Sequence, residues 1–387
     1  MFIKNNNNTK KSSPINYPPI EIKSYNHNYL YFLCVVKKIK RFQMEIKLKN
    51  TRERVLTGIT TTGTPHLGNY VGAIRPAIEA SKKVNVDSFF FLADLHAMIK
   101  CHDPKVVHQS TKEIAATWLA VGLDPDNVTF YRQSDIPEIS QLCWYLTCLA
   151  PKGLMNRAHA YKDAVKKNID AEEDNDFAVT MGLFSYPILM AADILMFNAT
   201  KVPVGKDQIQ HIEMARDIAQ RFNYLYGKQF TLPEAIVDDQ VSILKGVDGR
   251  KMSKTYGNTI PLFLAEKQLK KQINKIKTNL LEPGEPKDTE TSIIFQIWKA
   301  FASKDQINYM RKEYENGIAW GEAKKQLFEL INEELKNPRN LYNQLLESPD
   351  YIESVLCEGS KKARNHSSKF LEKINKSIGL KSLEISS

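Results

Sequence analysis

Between residues 55 and 132 short apolar runs alternate with longer helix-compatible stretches, and few folds accept that order. Residues 55–58 read as a short strand, and Thr60, Thr61, Thr62, Gly63, Thr64 and Pro65 as a turn. A helix-compatible stretch follows from about Gly68 to Lys82, a buried strand over 88–93, a helix over about 105–121 and a strand over 128–132. Strands and helices alternating at these lengths predict an α/β fold, a doubly wound parallel sheet of Rossmann-like type. Ligands of such sheets bind beyond the carboxyl ends of the strands, so the loops there are where chemistry is sought.

The rest of the chain divides around that core. Residues 152–180 are polar, with Lys166, Lys167 and an acidic run over 172–174, and read as an insertion between the halves of the sheet. After Thr259 the strand signals stop, and residues from about 262 to 380 carry Lys, Glu, Leu, Asn and Gln at helical spacing. The expected division is an extension over 1–50, a catalytic domain over 51–260 and a C-terminal helical domain over 261–387. No apolar run approaches the roughly 18–20 residues needed to cross a bilayer, so no membrane is expected as a partner.

The formal charge of +10 invites a nucleic-acid reading, but its location argues otherwise. Residues 1–50 hold ten basic and two acidic side chains, leaving 44 basic and 42 acidic in the remaining 337 residues. The excess belongs to the extension, so an RNA partner has to be argued from motifs. The extension has low-complexity asparagines over 5–8 and no apolar periodicity. It reads either as a targeting segment or as a dispensable stretch before Met44. Five scattered cysteines lack zinc-knuckle spacing, and no structural metal is expected.

Two loops carry the chemistry. In the first, a strand ends at Gly58, a hydroxyl-rich loop turns, and His66-Leu67-Gly68-Asn69 opens a helix. Backbone N–H groups at a helix start attract phosphate, Gly68 has no Cβ to obstruct a nucleotide, and His66 and Asn69 lie three apart. In the second, Lys251-Met252-Ser253-Lys254-Thr255 follows an apolar run over 241–244 and carries two lysines three apart. Their ammonium groups suit the charge that builds on a leaving pyrophosphate.

These loops, in this order and about 180 residues apart, resemble the HIGH and KMSKS signatures of class I aminoacyl-tRNA synthetases. Asn69 stands for the last His of the first and Thr255 for the last Ser of the second. Asn still donates and Thr keeps the hydroxyl. The likeness covers about residues 52–380. It implies ATP, taken as its Mg2+ complex, as a substrate. It also implies an ATP-binding set of Thr60, Thr61, Thr62, Gly68, Asn69, Gly205, Lys206, Asp207, Ile243, Lys251, Met252, Ser253, Lys254 and Thr255. His66, Asn69, Lys251 and Lys254 are the catalytic candidates.

The amino acid is read from residues 182–199, an apolar helix with one carboxylate, Asp193. A buried acid without a donor is costly. Tyr186, Met190 and Asp193 fall at i, i+4 and i+7, on one face. That face is an apolar slot ending in one acceptor, and indole, with one N–H and no acceptor, matches it. The alternative is that Asp193 is satisfied inside the protein. This segment resembles the specificity helix of tryptophanyl-tRNA synthetases of bacterial type, with Asp193 in place of the indole-binding acid. The stretch from Val202 to His211 resembles that family's following motif. The likeness implies Gly205, Lys206 and Asp207 near ATP, Gln208 at the polar end of tryptophan and His96 near its backbone groups. Asp207 could instead, or as well, cap the helix running through Arg221. Three departures stand out: Thr60 where many members have Gln, Lys206 for a common Glu, and a partial match over 157–162. Lys162, Lys166 and Lys167 are all open as the lysine that meets the ATP phosphates.

The resemblance implies tryptophan activation by ATP, transfer to tRNA(Trp), a homodimer, anticodon contact through the helical C-terminal domain, and a cytoplasmic location, or an organellar one if the extension is a targeting segment. A tyrosine enzyme of the same fold, another nucleotidyltransferase and a catalytically silent RNA-binding relative are the alternatives.

Overall fold

The computed structural model describes residues 53–237 and 244–383. The extension and residues 238–243, with Ile243 and most of the apolar run over 241–244 among them, lie outside the described residues, as do 384–387. Residues from Glu53 onward form one compact unit.

The alternation read from the sequence is what the chain folds into. β1 is Glu53–Thr60. α1 (67–81) opens as an α-helix at Leu67–Asn69, widens through a π turn at Tyr70–Ile74 and resumes at Arg75–Ser81. β2 (Val86–Ala93), α2 (Asp94–Ala97), α3 (Pro104–Ala120) and β3 (Thr129–Arg132) follow. Then come α4 (Pro137–Leu149), α5 (Lys152–Met155), α6 (His159–Asp170), α7 (Met181–Met196), β4 (Lys201–Pro203), α8 (Ile209–Tyr226) and β5 (Glu234–Ile236). The polar stretch 152–180 thus holds α5 and α6 between β3 and β4. The C-terminal part is helical: α9 (Glu266–Asn274), α10 (Ile293–Phe301), α11 (Lys304–Glu315), α12 (Trp320–Glu347) and α13 (Pro349–Ser377). No described helix is long and apolar enough to cross a membrane.

The five described strands are parallel, in the order β3-β2-β1-β4-β5. The order reverses at β1, so the crevice between the ends of β1 and β4 is the switch point where such sheets hold ligands. Register brings the loops together. Thr60 pairs with Ala93 and Leu92 with Arg132, so the chain leaves β1, β2 and β3 at nearly the same level.

Period-2 alternation splits the sheet into two apolar faces. Phe90, Leu92 and Phe130 turn to one side, and Leu56, Phe89, Phe91 and Tyr131 to the other. The first face shares a continuous core with α1, α3 and α9 to α12; the second packs on α4, α7 and α8. The helical C-terminal part therefore buries its apolar stripe in the core that covers this face, chiefly against α3 and within itself. α13 runs past the β3 edge and contributes to both cores, with Val355 and Leu356 on one side and Leu371 and Ile374 on the other. Gly359 allows this approach, since a Cβ there would lie 1.6 Å from the Phe130 carbonyl oxygen. A helix laid along it removes an edge that would otherwise invite pairing with another chain.

Candidate active site

Asp193 lies on α7 with no exposure. Its carboxylate is already engaged. The Gln133 amide NH2 reaches Oδ1 at 2.8 Å and Oδ2 at 3.0 Å, and His96 Nε2 lies 2.9 Å from Oδ2. Oδ1 is the less crowded oxygen. Burial pushes the Asp193 pKa up, and the bonds from His96 and Gln133 oppose that. Gln133 itself is fully buried, one residue past β3, and its Oε1 accepts from the His96 backbone N–H at 3.4 Å. The even strand register lets residues from two neighbouring loops meet one helix.

Tyr186, two turns before Asp193, packs edge-on against His96 with centroids 6.3 Å apart. Its hydroxyl lies 2.7 Å from His211 Nε2, and His211 Nδ1 lies 2.8 Å from Gln208 Oε1. Gln208 donates in turn to Asp207 Oδ2 at 2.8 Å. Two hydrogen-bonded groups, Asp193 with His96 and Tyr186 with His211, Gln208 and Asp207, thus meet at the ring contact between His96 and Tyr186. Met190 is half-buried on the same helix. Tyr131 completes the wall: burial and the Asp193 charge raise its pKa well above the usual range, and its hydroxyl has no hydrogen-bond partner among the described residues.

Asp207 does not cap α8. The residue at the cap is Gln208, without a side-chain cap bond, and Asp207 sits in a 3-10 turn with Lys206 and Gln208. The turn shifts the first α-helical residue to Ile209, which leaves the Asp207 carboxylate to its neighbour's amide. Gly205 precedes the turn, where a Cβ would stand 2.7 Å from Asp207 Oδ1.

The first loop is preorganised by its own residues. His66 Nδ1 accepts from the Asn69 backbone N–H at 3.3 Å, and Asn69 Oδ1 accepts from the His66 N–H at 3.1 Å, a reciprocal capping box. Burial, aided by the Lys254 charge, lowers the His66 pKa to about 4. A neutral ring that accepts at Nδ1 carries its proton on Nε2. Nε2–H and the Asn69 NH2 are thus the donors this pair leaves unused. The space of Gly68's missing Cβ faces the His66 ring at 3.0 Å and Met252 Sδ at 3.5 Å. Thr60 is exposed and Thr62 half-buried, but Thr61 is fully buried, its hydroxyl unpartnered among the described residues.

The second loop rests on the first. Lys254 Nζ donates to the Thr62 carbonyl at 2.5 Å, and its stem lies over Gly63, whose φ of +77° suits glycine. Desolvation lowers the Lys254 pKa. Lys251 is exposed, Met252 is buried, and Ser253 and Thr255 lie at the surface turn between them and Tyr256. Asn258, buried, shapes the loop: its Oδ1 accepts from the Ser253 N–H, and its NH2 donates to Asp248 Oδ1 and to the Lys251 carbonyl. Leu67 N–H donates to the Ile260 carbonyl and Leu262 N–H to the Pro65 carbonyl, tying both loops at their bases. Lys162, Lys166 and Lys167 all lie on the polar helix α6, none of them buried.

Gln133, His211 and Asn258 carry no signal of their own in the sequence. His211 falls inside the motif that begins at Val202; Gln133 and Asn258 are legible only once register and loop closure are known.

Residues 48–336 match the family model "tRNA synthetases class I (W and Y)". The chain is similar to a tryptophan–tRNA ligase from Neisseria meningitidis, 57% identical over 335 residues, 86% of this chain and 100% of that protein. It is 59% identical to one from Pseudomonas aeruginosa, over 85% of this chain and 74% of that protein. Among solved structures, a tryptophanyl-tRNA synthetase from Campylobacter jejuni in complex with ADP and tryptophan is similar. Its TM-score is 0.77 at 44% identity, covering 84% of this chain and 100% of that one.

Proposed function

The chain belongs to the class I tRNA synthetases of tryptophan and tyrosine, and we infer that it works as a tryptophan–tRNA ligase of bacterial type. The single observation that carries the choice of tryptophan is Asp193, a fully buried carboxylate at the end of an apolar helix face, with Oδ1 less occupied than Oδ2. An indole N–H is a pure donor and suits it. A phenol brings an acceptor as well, which a carboxylate cannot serve.

In this reading ATP, as its Mg2+ complex, lies between the start of α1 and the loop over 251–255. Thr60, Thr62, Gly205, Lys206, Asp207, Met252, Ser253 and Thr255 border it. His66 and Asn69 supply donors, while Lys251 and Lys254 meet the β- and γ-phosphates. The tryptophan carboxylate attacks the α-phosphorus, the bond to pyrophosphate breaks, and a mixed anhydride forms. The lysines stabilise the departing charge rather than form any covalent bond. A terminal ribose hydroxyl of tRNA(Trp) then takes the acyl group and AMP leaves.

The helical part from residue 261 is the proposed anticodon-binding domain and residues 51–260 the catalytic one. A homodimer goes with the reading. Trp144 on α4 and Tyr224 and Leu225 on α8 are large apolar side chains left 65%, 88% and 48% exposed, and a second copy would cover them. A cytoplasmic location goes with it too, or an organellar one if the extension over 1–50 is a targeting segment. Pyrophosphate exchange into ATP, run amino acid by amino acid, tests the function. Exchange with tryptophan alone is expected; exchange with tyrosine would overturn it.

A further inference from the structure

His211 lies in the first turn of α8, 2% exposed, between two residues of the amino-acid slot. The hydrogen bonds around it have only one consistent polarity. Gln208 points its NH2 at the Asp207 carboxylate, an acceptor only, so Oε1 is the atom facing His211. His211 Nδ1 must therefore carry the proton and donate to Gln208 Oε1. Burial lowers the ring's pKa, which favours the neutral form. A neutral ring protonated at Nδ1 has a lone pair on Nε2, and the Tyr186 hydroxyl, 2.7 Å away, spends its proton there.

The consequence falls on the ligand. With the Tyr186 proton spent on His211 and one Gln208 N–H on Asp207, Tyr186 Oη and Gln208 Oε1 present lone pairs to the slot. Asp207 adds a negative charge beside Gln208. Two acceptors and an acid are complementary to a cation with several N–H bonds, and they repel a carboxylate.

We propose that His211 is a positioning residue that sets the hydrogen-bond polarity of Tyr186 and Gln208, so that the pair accepts from the α-ammonium group of the amino-acid substrate. The inference rests on the reading above that this slot holds an amino acid. It adds a residue that touches no substrate yet decides which end of it is recognised.

The test compares tryptophan with indole-3-propionate, which keeps the ring and the carboxylate but lacks the ammonium. KM for tryptophan and kcat are measured by pyrophosphate exchange, and indole-3-propionate is titrated as a competitive inhibitor. His211→Phe should raise KM for tryptophan about 10-fold or more, the usual loss for hydrogen bonds to a charged group. Its kcat should stay within about threefold, because such binding is shared by ground and transition states. The inhibition constant of indole-3-propionate should hardly move. His211→Asn keeps a donor where Nδ1 stood and His211→Gln an acceptor where Nε2 stood, so each should recover part of the loss. These two also keep the test open if the Phe variant does not fold. Equal losses for both ligands, or no loss for tryptophan, would overturn the proposal. Should the wild type exchange with another amino acid, the choice of tryptophan falls. His211 is then tested with that amino acid, which carries the same ammonium, and with its deamino analogue.

Discussion

The two ends of the active site are built in opposite ways. At the Asp193 end, the carboxylate and Gln133 are fully buried, and their bonds come from a helix and the end of a strand. At the Lys254 end, an exposed loop residue reaches across to a backbone carbonyl, with the loop shaped mainly by Asn258. The difference follows from the task. Discriminating one ring donor from its absence needs an acceptor that cannot turn away, so the groups sit on rigid elements. Stabilising charge on a departing group needs reach and can be done from a loop.

The sharpest break between the two ends should come from Lys254→Ala. Adenylate formation in a single turnover should slow by roughly 10²–10³-fold, the usual loss of one electrostatic donor. Tryptophan affinity, measured by equilibrium titration, should hardly change. Collapse of affinity with the rate intact would make the loop a binding element and erase the contrast.

Gln133→Leu should do the reverse. It leaves Asp193 to His96 alone, so the carboxylate is free to turn. The bond, worth about 1.5–3 kcal/mol, is lost with or without ligand and so lowers the melting temperature; tryptophan affinity should weaken through the misplaced acceptor, with kcat largely kept. A fall in kcat at constant affinity would place Gln133 with the chemistry instead.

The smallest effect concerns pH and lies partly outside the site. His66 and His366 are both lowered from 6.5 to about 4, by burial first and then by the Lys254 and Arg54 charges respectively. Above pH 6.5 neither state of the chain protonates them. Between 6.5 and about 4 the unfolded chain takes up protons that the folded chain refuses, so stability falls as pH falls. Melting temperature should decline across that window. His366→Phe, which keeps an aromatic ring between Phe197 and Phe370, should flatten the decline. An unchanged slope would mean that other groups control acid stability.

How far this is legible in the sequence differs between the two ends. The loops of the ATP side are contiguous motifs, so the resemblance they carry points to His66, Asn69, Lys251 and Lys254. The burial of Asp193 is legible too, because a lone acid inside an apolar helix is carried into the core with its neighbours. What donates to it is not. His96 enters only by resemblance, and Gln133 meets Asp193 through strand register, which is not written locally. Asp207 is open to reading as a cap because acids favour that position; a 3-10 turn before Ile209 moves the helix start past it. The course of α13 along β3 rests on one glycine, Gly359, whose importance shows only when the Phe130 carbonyl lies against it. Long-range contact, rather than local propensity, decides each of these.

The central claim is that the Asp193 carboxylate selects tryptophan through its ring N–H. It is tested by comparing exchange with tryptophan and with the benzothiophene analogue, in which sulfur replaces the ring nitrogen, for the wild type and Asp193→Ala. The wild type should discriminate strongly against the analogue. The variant removes a charge-assisted bond worth about 1.5–3 kcal/mol and leaves the buried Gln133 NH2 without its acceptor, so it should fold with a lower melting temperature and lose much of that preference. A ratio unchanged by the substitution would make Asp193 a structural acid held by Gln133 and His96, and contradict the account.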